Sequence, residues 1–131
     1  MDAVSRDRGK PEKTPRARIG IVGEDDAVVN AVGFALSTEG YDVRLLAGDA
    51  ASLAEADFPG LDCLVVQQRA PGLDDAALRR LCARAGRIPK LMITFHPDAA
   101  LRRTLDDLGV RLVEMPLMGS ELSDCIRGLT A

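Results

Sequence analysis

Acidic residues stand directly after the first apolar run of the sequence, RIGIV (18–22). Residues 23–26 read GEDD, and carboxylates at the end of a strand are candidate ligands for Mg²⁺, which prefers oxygen donors. A dinucleotide-binding turn would instead need glycines where Asp25 and Val28 stand. Carboxylates at the mouth of a helix N-terminus also repel an anion. The opening is therefore unsuited to a nucleotide cofactor, and we expect no cofactor.

The other apolar runs that could line a site end in residues without charge. Gln67, Thr94 and Met115 stand at the ends of three of them. An amide is a feeble nucleophile. The single histidine, His96, has no serine or cysteine beside it, so a solvated loop residue is its simplest interpretation. We therefore predict that the protein is not an enzyme.

Short apolar runs alternate with helical patterns along the chain, which predicts a parallel sheet covered by helices. The predicted strands are 18–22, 41–46, 61–66, 90–94 and 111–115. The predicted helices lie at about 26–38, 50–57, 74–85, 98–108 and 119–129. Five right-handed βα units most economically give an α/β fold with a doubly wound sheet.

Residues that begin and end helices stand at the expected places. Asp74 and Asp98 are predicted N-caps, as is Asp25 or Asp26, and Gly40 and Gly109 follow helices as C′ glycines. Ligands of doubly wound sheets bind beyond the carboxyl ends of the strands. A site is therefore expected at 23–26, 67–69, 94–96 and 115–117.

Composition limits the class of protein. The 131 residues are 47% apolar with few aromatic residues, so the core is aliphatic and stacking on nucleic-acid bases is not expected. No run approaches the ~20 apolar residues that span a bilayer, and we expect a cytoplasmic protein without membrane contact. Three cysteines without metal-ligand spacing are expected to be reduced core residues: Cys63, Cys82 and Cys125.

Charge is unevenly distributed between the N-terminus and the rest of the chain. The net charge is −3, but residues 1–18 carry six basic and three acidic groups. We therefore predict a disordered basic tail at 1–17 and one domain at 18–131. The acidic body argues against a nucleic-acid partner, although the tail leaves weak DNA binding as an alternative.

Four stretches together resemble the receiver domain of bacterial response regulators, the CheY-like family. They are RIGIVGEDDAVVNAVGFALSTEGYDV, DCLVVQQRAPGLDD, IPKLMITFHPDAALRRTLDDLGV and VEMPL. The resemblance runs from about Arg18 to Leu129. It implies a flavodoxin-like, five-stranded parallel sheet in the order 2-1-3-4-5 with five helices, and a role in two-component signal transduction or phosphorelay.

The same resemblance implies that the phosphorylation pocket is degenerate. The phosphoacceptor aspartate of the family corresponds to Gln67, which cannot form an acyl phosphate. The acidic pair corresponds to Gly23 and Glu24, so Mg²⁺ would bind weakly at Glu24 at best, unless Asp25 contributes. The sequence therefore predicts an atypical receiver, a pseudo-receiver without metal or catalytic residues.

Two further positions also depart from the pattern of the family. Met115 replaces the lysine that pairs with the phosphoryl group, and we expect it to pack over Val66 or Ile93. Leu112 stands at the position of the aromatic residue that reports phosphorylation, so that rotamer switch is not expected.

The switch threonine of the family is retained as Thr94. Without a phosphoryl group, it is expected to cap the strand or to hydrogen-bond Gln67. Phe95 follows it at a position that is usually small, and its ring is expected to cover the mouth of the pocket.

These features predict a stand-alone adaptor that acts by protein contact, with a histidine kinase, another regulator or an output protein as partner. The contact face expected by resemblance, which could also form a homodimer, comprises 98–108, 111–115 and 119–129, with Arg102, Arg103, Leu112, Leu117 and Glu121. The helix at 26–38 is the second choice. The alternative is a regulator that binds a small ligand, such as a nucleotide second messenger, through Arg69.

Overall fold

A computed structural model describes residues 17–24, 27–46, 60–70, 72–115 and 121–130. The strands are β1 (Arg18–Val22), β2 (Asp42–Leu46), β3 (Cys63–Gln67), β4 (Lys90–Thr94) and β5 (Arg111–Glu114). The helices are α1 (Ala27–Thr38), α2 (Asp75–Ala85), α3 (Ala99–Leu108) and α4 (Glu121–Thr130). The predicted helix at 50–57 and residues 1–16 of the predicted tail at 1–17 lie outside the described residues, and Ala17 is buried in the core.

The five strands form one parallel sheet in the order β2-β1-β3-β4-β5, which confirms the predicted flavodoxin-like fold. β3 and β4 are buried along their whole length, because helices cover both faces of the sheet. Among the described residues, no helix is both long and apolar enough to cross a membrane.

Alternate residues of β3 point into two separate cores, as the pleat of a strand requires. Cys63 and Val65 belong to a cluster with residues of α1 and α4. Leu64 and Val66 belong to a second cluster, with residues of α2 and α3. The pleat therefore assigns each residue of the central strands to one side of the sheet, including those at the strand ends.

Local capping begins and ends the helices where the sequence predicts. Asp74 accepts a hydrogen bond from the Ala77 amide at 2.7 Å, and Asp98 accepts one from the Leu101 amide at 2.8 Å. Gly109 ends α3 at φ 70°, a left-handed conformation that favours glycine. The third predicted cap, Asp25 or Asp26, lies outside the described residues.

Charged groups close the amino-terminal edge of the sheet. The backbone amide of Arg18 donates to Asp62 at 2.8 Å, and its guanidinium Nε donates to Asp42 at 3.0 Å. Lys90 is buried and donates to the Gly86 carbonyl at 2.7 Å. At the starts of β1, β2 and β4, each of these charged side chains is thus hydrogen-bonded either to an opposite charge or to a polar group of the backbone.

The cysteines carry unbridged thiols, as expected. Cys63 and Cys82 are buried and Cys125 is half-buried. Burial and the nearby Cys125 thiol raise the pKa of Cys63 to about 12, and burial also raises the pKa of Cys82. Cys63 and Cys82 are therefore neutral core side chains at physiological pH.

Candidate functional site

A cleft of about 320 Å³ lies at the carboxyl ends of β3, β4 and β5, where ligands of doubly wound sheets bind. Its lining residues are Val28, Gln67, Gln68, Arg69, Ile93, Thr94, Phe95, His96 and Met115. All three predicted positions on these strands therefore meet in one place. The cleft has an aliphatic floor, and its charge is confined to residues of the rim.

Gln67 is fixed at the base of this cleft. Its side chain is only 4% exposed, and its Oε1 accepts a hydrogen bond from the backbone amide of Glu24 at 3.0 Å. This bond links the end of β3 to the segment after β1. A buried amide oxygen without a partner would destabilise the fold, so the bond explains how a carboxamide is accommodated there.

Gly23 is required by the position of Gln67. Val22 pairs with Val66 across β1 and β3, so the next residues, Gly23 and Gln67, lie side by side on one face of the sheet. A Cβ atom at position 23 would approach Gln67 Oε1 to 2.6 Å and Val29 Cγ2 to 2.9 Å. The amide thus fills the space that a side chain at position 23 would need, and the two identities depend on each other.

The Thr94 hydroxyl donates to Gln68 Oε1, so the predicted hydrogen bond to Gln67 is wrong. The pleat gives the reason. Gln67 pairs with Ile93, and the residues that follow, Gln68 and Thr94, both point to the opposite face. Gln68 lies within the predicted range 67–69, but its contact with Thr94 was not predicted, although counting alternate residues from Val66 would have placed the two side by side.

Met115 packs against the core cluster that contains Ile93, not the cluster that contains Val66. Of the two neighbours predicted for it, this favours Ile93 over Val66. The Met115 backbone amide donates to the Thr94 carbonyl at 2.6 Å, which continues the pairing of β5 with β4. A thioether consequently stands on the same side of the sheet as Gln67, at the wall of the cleft.

Three rim residues border the mouth of the cleft. Phe95 is 36% exposed, so its ring borders the opening and does not bury itself there. Arg69 and His96 are exposed and also line the cleft. Any charged group that could bind a ligand thus lies at the entrance of the cleft, whereas the amides and the aliphatic side chains behind it are neutral.

The described residues do not fit a magnesium ion. Glu24 is exposed, and no three His, Cys, Asp or Glu side chains of the described ranges converge on one point. The neighbouring amide oxygen of Gln67 already accepts the Glu24 amide hydrogen. Mg²⁺ needs near-octahedral oxygen ligands, and one exposed carboxylate does not supply them. Asp25 lies outside the described residues.

The predicted contact face is charged and only partly described. Arg102 and Arg103 are exposed on α3, and Arg102 forms an ion pair with Glu114 of β5 at 3.6 Å. Leu112 is half-buried against the core. Leu117 lies outside the described residues, as does the side chain of Glu121, the first residue of α4.

Comparisons with known proteins agree with this fold. No protein-family model matches the sequence. The chain is 32% identical over 117 residues to the transcriptional regulatory protein FixJ of Bradyrhizobium diazoefficiens, an alignment that covers 86% of this chain and 56% of FixJ. The chain thus spans little more than half the length of this curated relative.

Solved structures show the same similarity. Full-length FixJ from B. japonicum superposes with a TM-score of 0.74 at 31% identity, covering 88% of this chain and 58% of FixJ. The non-phosphorylated HemR receiver domain of Leptospira biflexa gives a TM-score of 0.74 at 18% identity, covering 88% of this chain and 95% of that domain. The fold and the strand order are those of the CheY-like receiver domains of response regulators, and the sequence of this chain is similar to that of FixJ.

Proposed function

We propose that this receiver domain serves two-component signalling through protein contact, without phosphorylation of an aspartate. The observation that carries the proposal is the buried Gln67 carboxamide at the end of β3, hydrogen-bonded to the Glu24 amide. In the family, a histidine kinase passes its phosphoryl group to an aspartate at this position. An amide lacks the anionic oxygen that would attack phosphorus, so the domain binds a partner and catalyses no transfer.

The surroundings of Gln67 support the same proposal. A phosphorylated carboxylate is stabilised by a divalent cation and by a nearby ammonium group. Here Gly23 stands in place of an acid, and Met115 stands in place of the lysine. The Thr94 hydroxyl already donates to Gln68, so its hydrogen is engaged without a phosphoryl oxygen. The residues at the base of the pocket are neutral, and the described hydrogen bonds there are internal.

Phosphorylation is tested by incubating the chain with acetyl phosphate and Mg²⁺ and measuring its intact mass. We expect no labile gain of about 80 daltons, the mass of a phosphoryl group. The matched control restores the pocket with Gln67→Asp, Gly23→Asp and Met115→Lys, and it should gain that mass. A labile gain in the wild-type chain that maps to the end of β3 would contradict the proposal.

The partner surface is proposed to be the face formed by α3, β5 and α4. Arg102 and Arg103 are exposed there beside Glu114. A charged rim of this kind governs the association rate and the choice of partner more than it governs affinity. Partners captured from the source cell should therefore be lost with Arg102→Glu and Arg103→Glu, and retained with Arg80→Glu on α2.

A small ligand is the second candidate, and Arg69 favours it. Its side chain is exposed and lines a cleft whose volume of about 320 Å³ is within the range of small-molecule sites. A guanidinium binds phosphate oxygens through paired hydrogen bonds. Calorimetry with a cyclic dinucleotide tests this candidate, with Arg69→Ala as the disabling variant and Arg80→Ala as the control. Absence of saturable heat would exclude it for that ligand class.

A further inference from the structure

Helix α1 differs from the other described helices in carrying no charged residue. Its sequence is AVVNAVGFALST, whereas α2, α3 and α4 each carry charged side chains of both signs. A surface helix normally presents charged or polar residues to water. The outward face of α1 instead presents alanines, Asn30, Ser37, Thr38 and one aromatic ring. This composition is typical of a surface that is covered by another protein.

Phe34 projects from the middle of that face. It is 73% exposed, the largest exposed fraction among the large apolar side chains that the structure describes. At 100° per residue, Phe34 lies opposite the buried residues Val32 and Leu36 of the same helix. The ring therefore stands away from the protein's own core, and single aromatic anchors of this kind contribute much of the free energy of protein association.

An apolar groove lies beside Phe34, between α1 and the start of α4. Its volume is about 410 Å³, and one wall consists of Ala27, Ala31 and Ala35, spaced one turn apart. The other wall includes Leu122 and Met115, and Glu39 and Ser123 line the groove where α1 ends. Small residues at this spacing leave room for a side chain from a second helix. The molecule thus carries an aromatic knob and an apolar groove side by side.

We propose that α1 is a self-association surface, on which two copies of the chain pair about a two-fold axis. In such an isologous contact the Phe34 ring of each copy enters the α1–α4 groove of the other. An uncharged face requires an uncharged partner, because a desolvated charge without a counter-charge is costly. The α1 face of a second copy meets that requirement, and it supplies both the knob and the groove.

Among the described residues, the charges that flank α1 in the sequence lie at its two ends. Glu24 precedes the helix, and Glu39 follows it, where its carboxylate accepts the hydroxyl hydrogen of Ser123. A helix of 12 residues is about 18 Å long. Glu24 is exposed beyond the end of the helix, and Glu39 lines the groove with its carboxylate already bonded to Ser123. The pairing is therefore expected to be insensitive to salt, unlike one through the arginines of α3.

The size of the face predicts a weak dimer. A helix about 18 Å long with its groove offers less than the ~1,200 Å² of total area that stable complexes bury. Sedimentation of the full chain from about 10 to 500 µM should therefore show a monomer of 14.0 kDa in exchange with a dimer. Raising salt from about 0.05 to 0.5 M, across which surface charges are screened, should change Kd less than about twofold.

Variants distinguish this face from the α3–β5–α4 face. Phe34→Glu and Ala31→Lys should each raise Kd about tenfold or more, because each places a charge in the contact. Arg102→Glu should leave Kd within about twofold, since Arg102 lies on the other face. Both α1 positions are exposed, so the variants should fold, which circular dichroism checks.

Three outcomes would overturn the proposal. A chain that remains monomeric at every concentration has no such surface. A dimer that resists Phe34→Glu and dissociates with Arg102→Glu uses the α3–β5–α4 face. A dimer that weakens strongly as salt rises depends on charged contacts, which α1 does not contain. These results are separable from the phosphorylation test, because self-association requires no property of Gln67.

Discussion

The two edges of the sheet differ in where charge is placed. At the amino edge, Arg18, Asp42 and Asp62 form charge-assisted hydrogen bonds, and buried Lys90 donates to a carbonyl. At the carboxyl edge, Gly23, Gln67, Thr94 and Met115 are neutral, and the carboxamide oxygen accepts a backbone hydrogen. Parallel sheets bind ligands and carry out chemistry at the carboxyl edge. The charged side chains of the amino edge are thus bonded to partners, whereas these four residues of the carboxyl edge carry no charge.

The difference teaches how each edge is specified. Each contact of the amino edge is a hydrogen bond or an ion pair between two groups, so removing one such contact should leave the others in place. The residues of the carboxyl edge fit one another sterically, since a Cβ at position 23 would meet both Gln67 and Val29. Substitutions at the carboxyl edge should therefore be coupled and costly, and those at the amino edge should be mild.

The largest effect is expected at Gly23. Gly23→Ala should lower the free energy of unfolding by about 2 to 3 kcal/mol, because overpacking displaces Gln67 and Val29. Gly33→Ala is the matched control. Gly33 lies within α1, and a Cβ there would be 3.7 Å from Val43, which is an ordinary van der Waals contact. That variant should therefore gain about 0.5 to 1 kcal/mol of stability from helix propensity.

Urea unfolding measures both variants. Adding Gln67→Ala to Gly23→Ala should recover part of the loss, because the closest obstructing atom is removed. Equal effects of alanine at Gly23 and Gly33 would mean that the strand-end residues are not sterically coupled.

The second-largest effect is a loss of stability in alkaline solution, and it comes from Cys63, at the amino end of β3. Its pKa is raised to about 12 in the folded protein by burial, against an ordinary value of 9.0. Between those pH values the unfolded thiol loses its proton and the folded thiol keeps it. The free energy of unfolding should therefore fall with rising pH above 9, by at most about 1.4 kcal/mol per pH unit from this group.

Unfolding by urea between pH 8 and 10.5 measures this slope. Cys63→Ala should make the slope shallower, although the smaller side chain lowers stability at every pH. Identical slopes in the two proteins would show that the Cys63 thiol does not resist ionisation in the folded state.

The smallest effect is expected for the ion pair between Arg18 and Asp42. The side chains are 42% and 30% exposed and 3.0 Å apart, so water screens the pair. A double-mutant cycle with Arg18→Met and Asp42→Asn should give a coupling of about 0.5 kcal/mol that weakens in salt. The exposed helical pair of Arg79 and Asp75 is the reference, and its coupling should be smaller still. A coupling free energy between Arg18 and Asp42 that exceeds the loss of about 2 to 3 kcal/mol expected for Gly23→Ala would reverse the comparison of the two edges.

Much of the framework could be predicted because its signals are local. Alternation of apolar runs gives the strands, and a cap such as Asp98 acts on an amide three residues away. Strand limits differ from the prediction by two residues or fewer, with β3 beginning at Cys63 instead of Leu61. The helix limits that the structure describes also agree within two residues.

The candidate site was predicted by position but not by contact. Gln67, Thr94 and Met115 meet as expected, yet Thr94 bonds Gln68 because the pleat turns Gln67 to the other face. The packing of Gly23 against Gln67 joins residues 44 positions apart, and no local pattern contains it. The exposure of Phe34 is likewise a tertiary property, since a phenylalanine in an apolar helix is usually taken for a core residue.

The close approach between position 23 and the Gln67 amide also limits the order in which these two positions can change. While residue 67 keeps this conformation, any side chain at position 23 meets Oε1, which lies 2.6 Å from where its Cβ would be. A shorter residue at position 67 must therefore come first, and a substitution at position 23 alone is penalised.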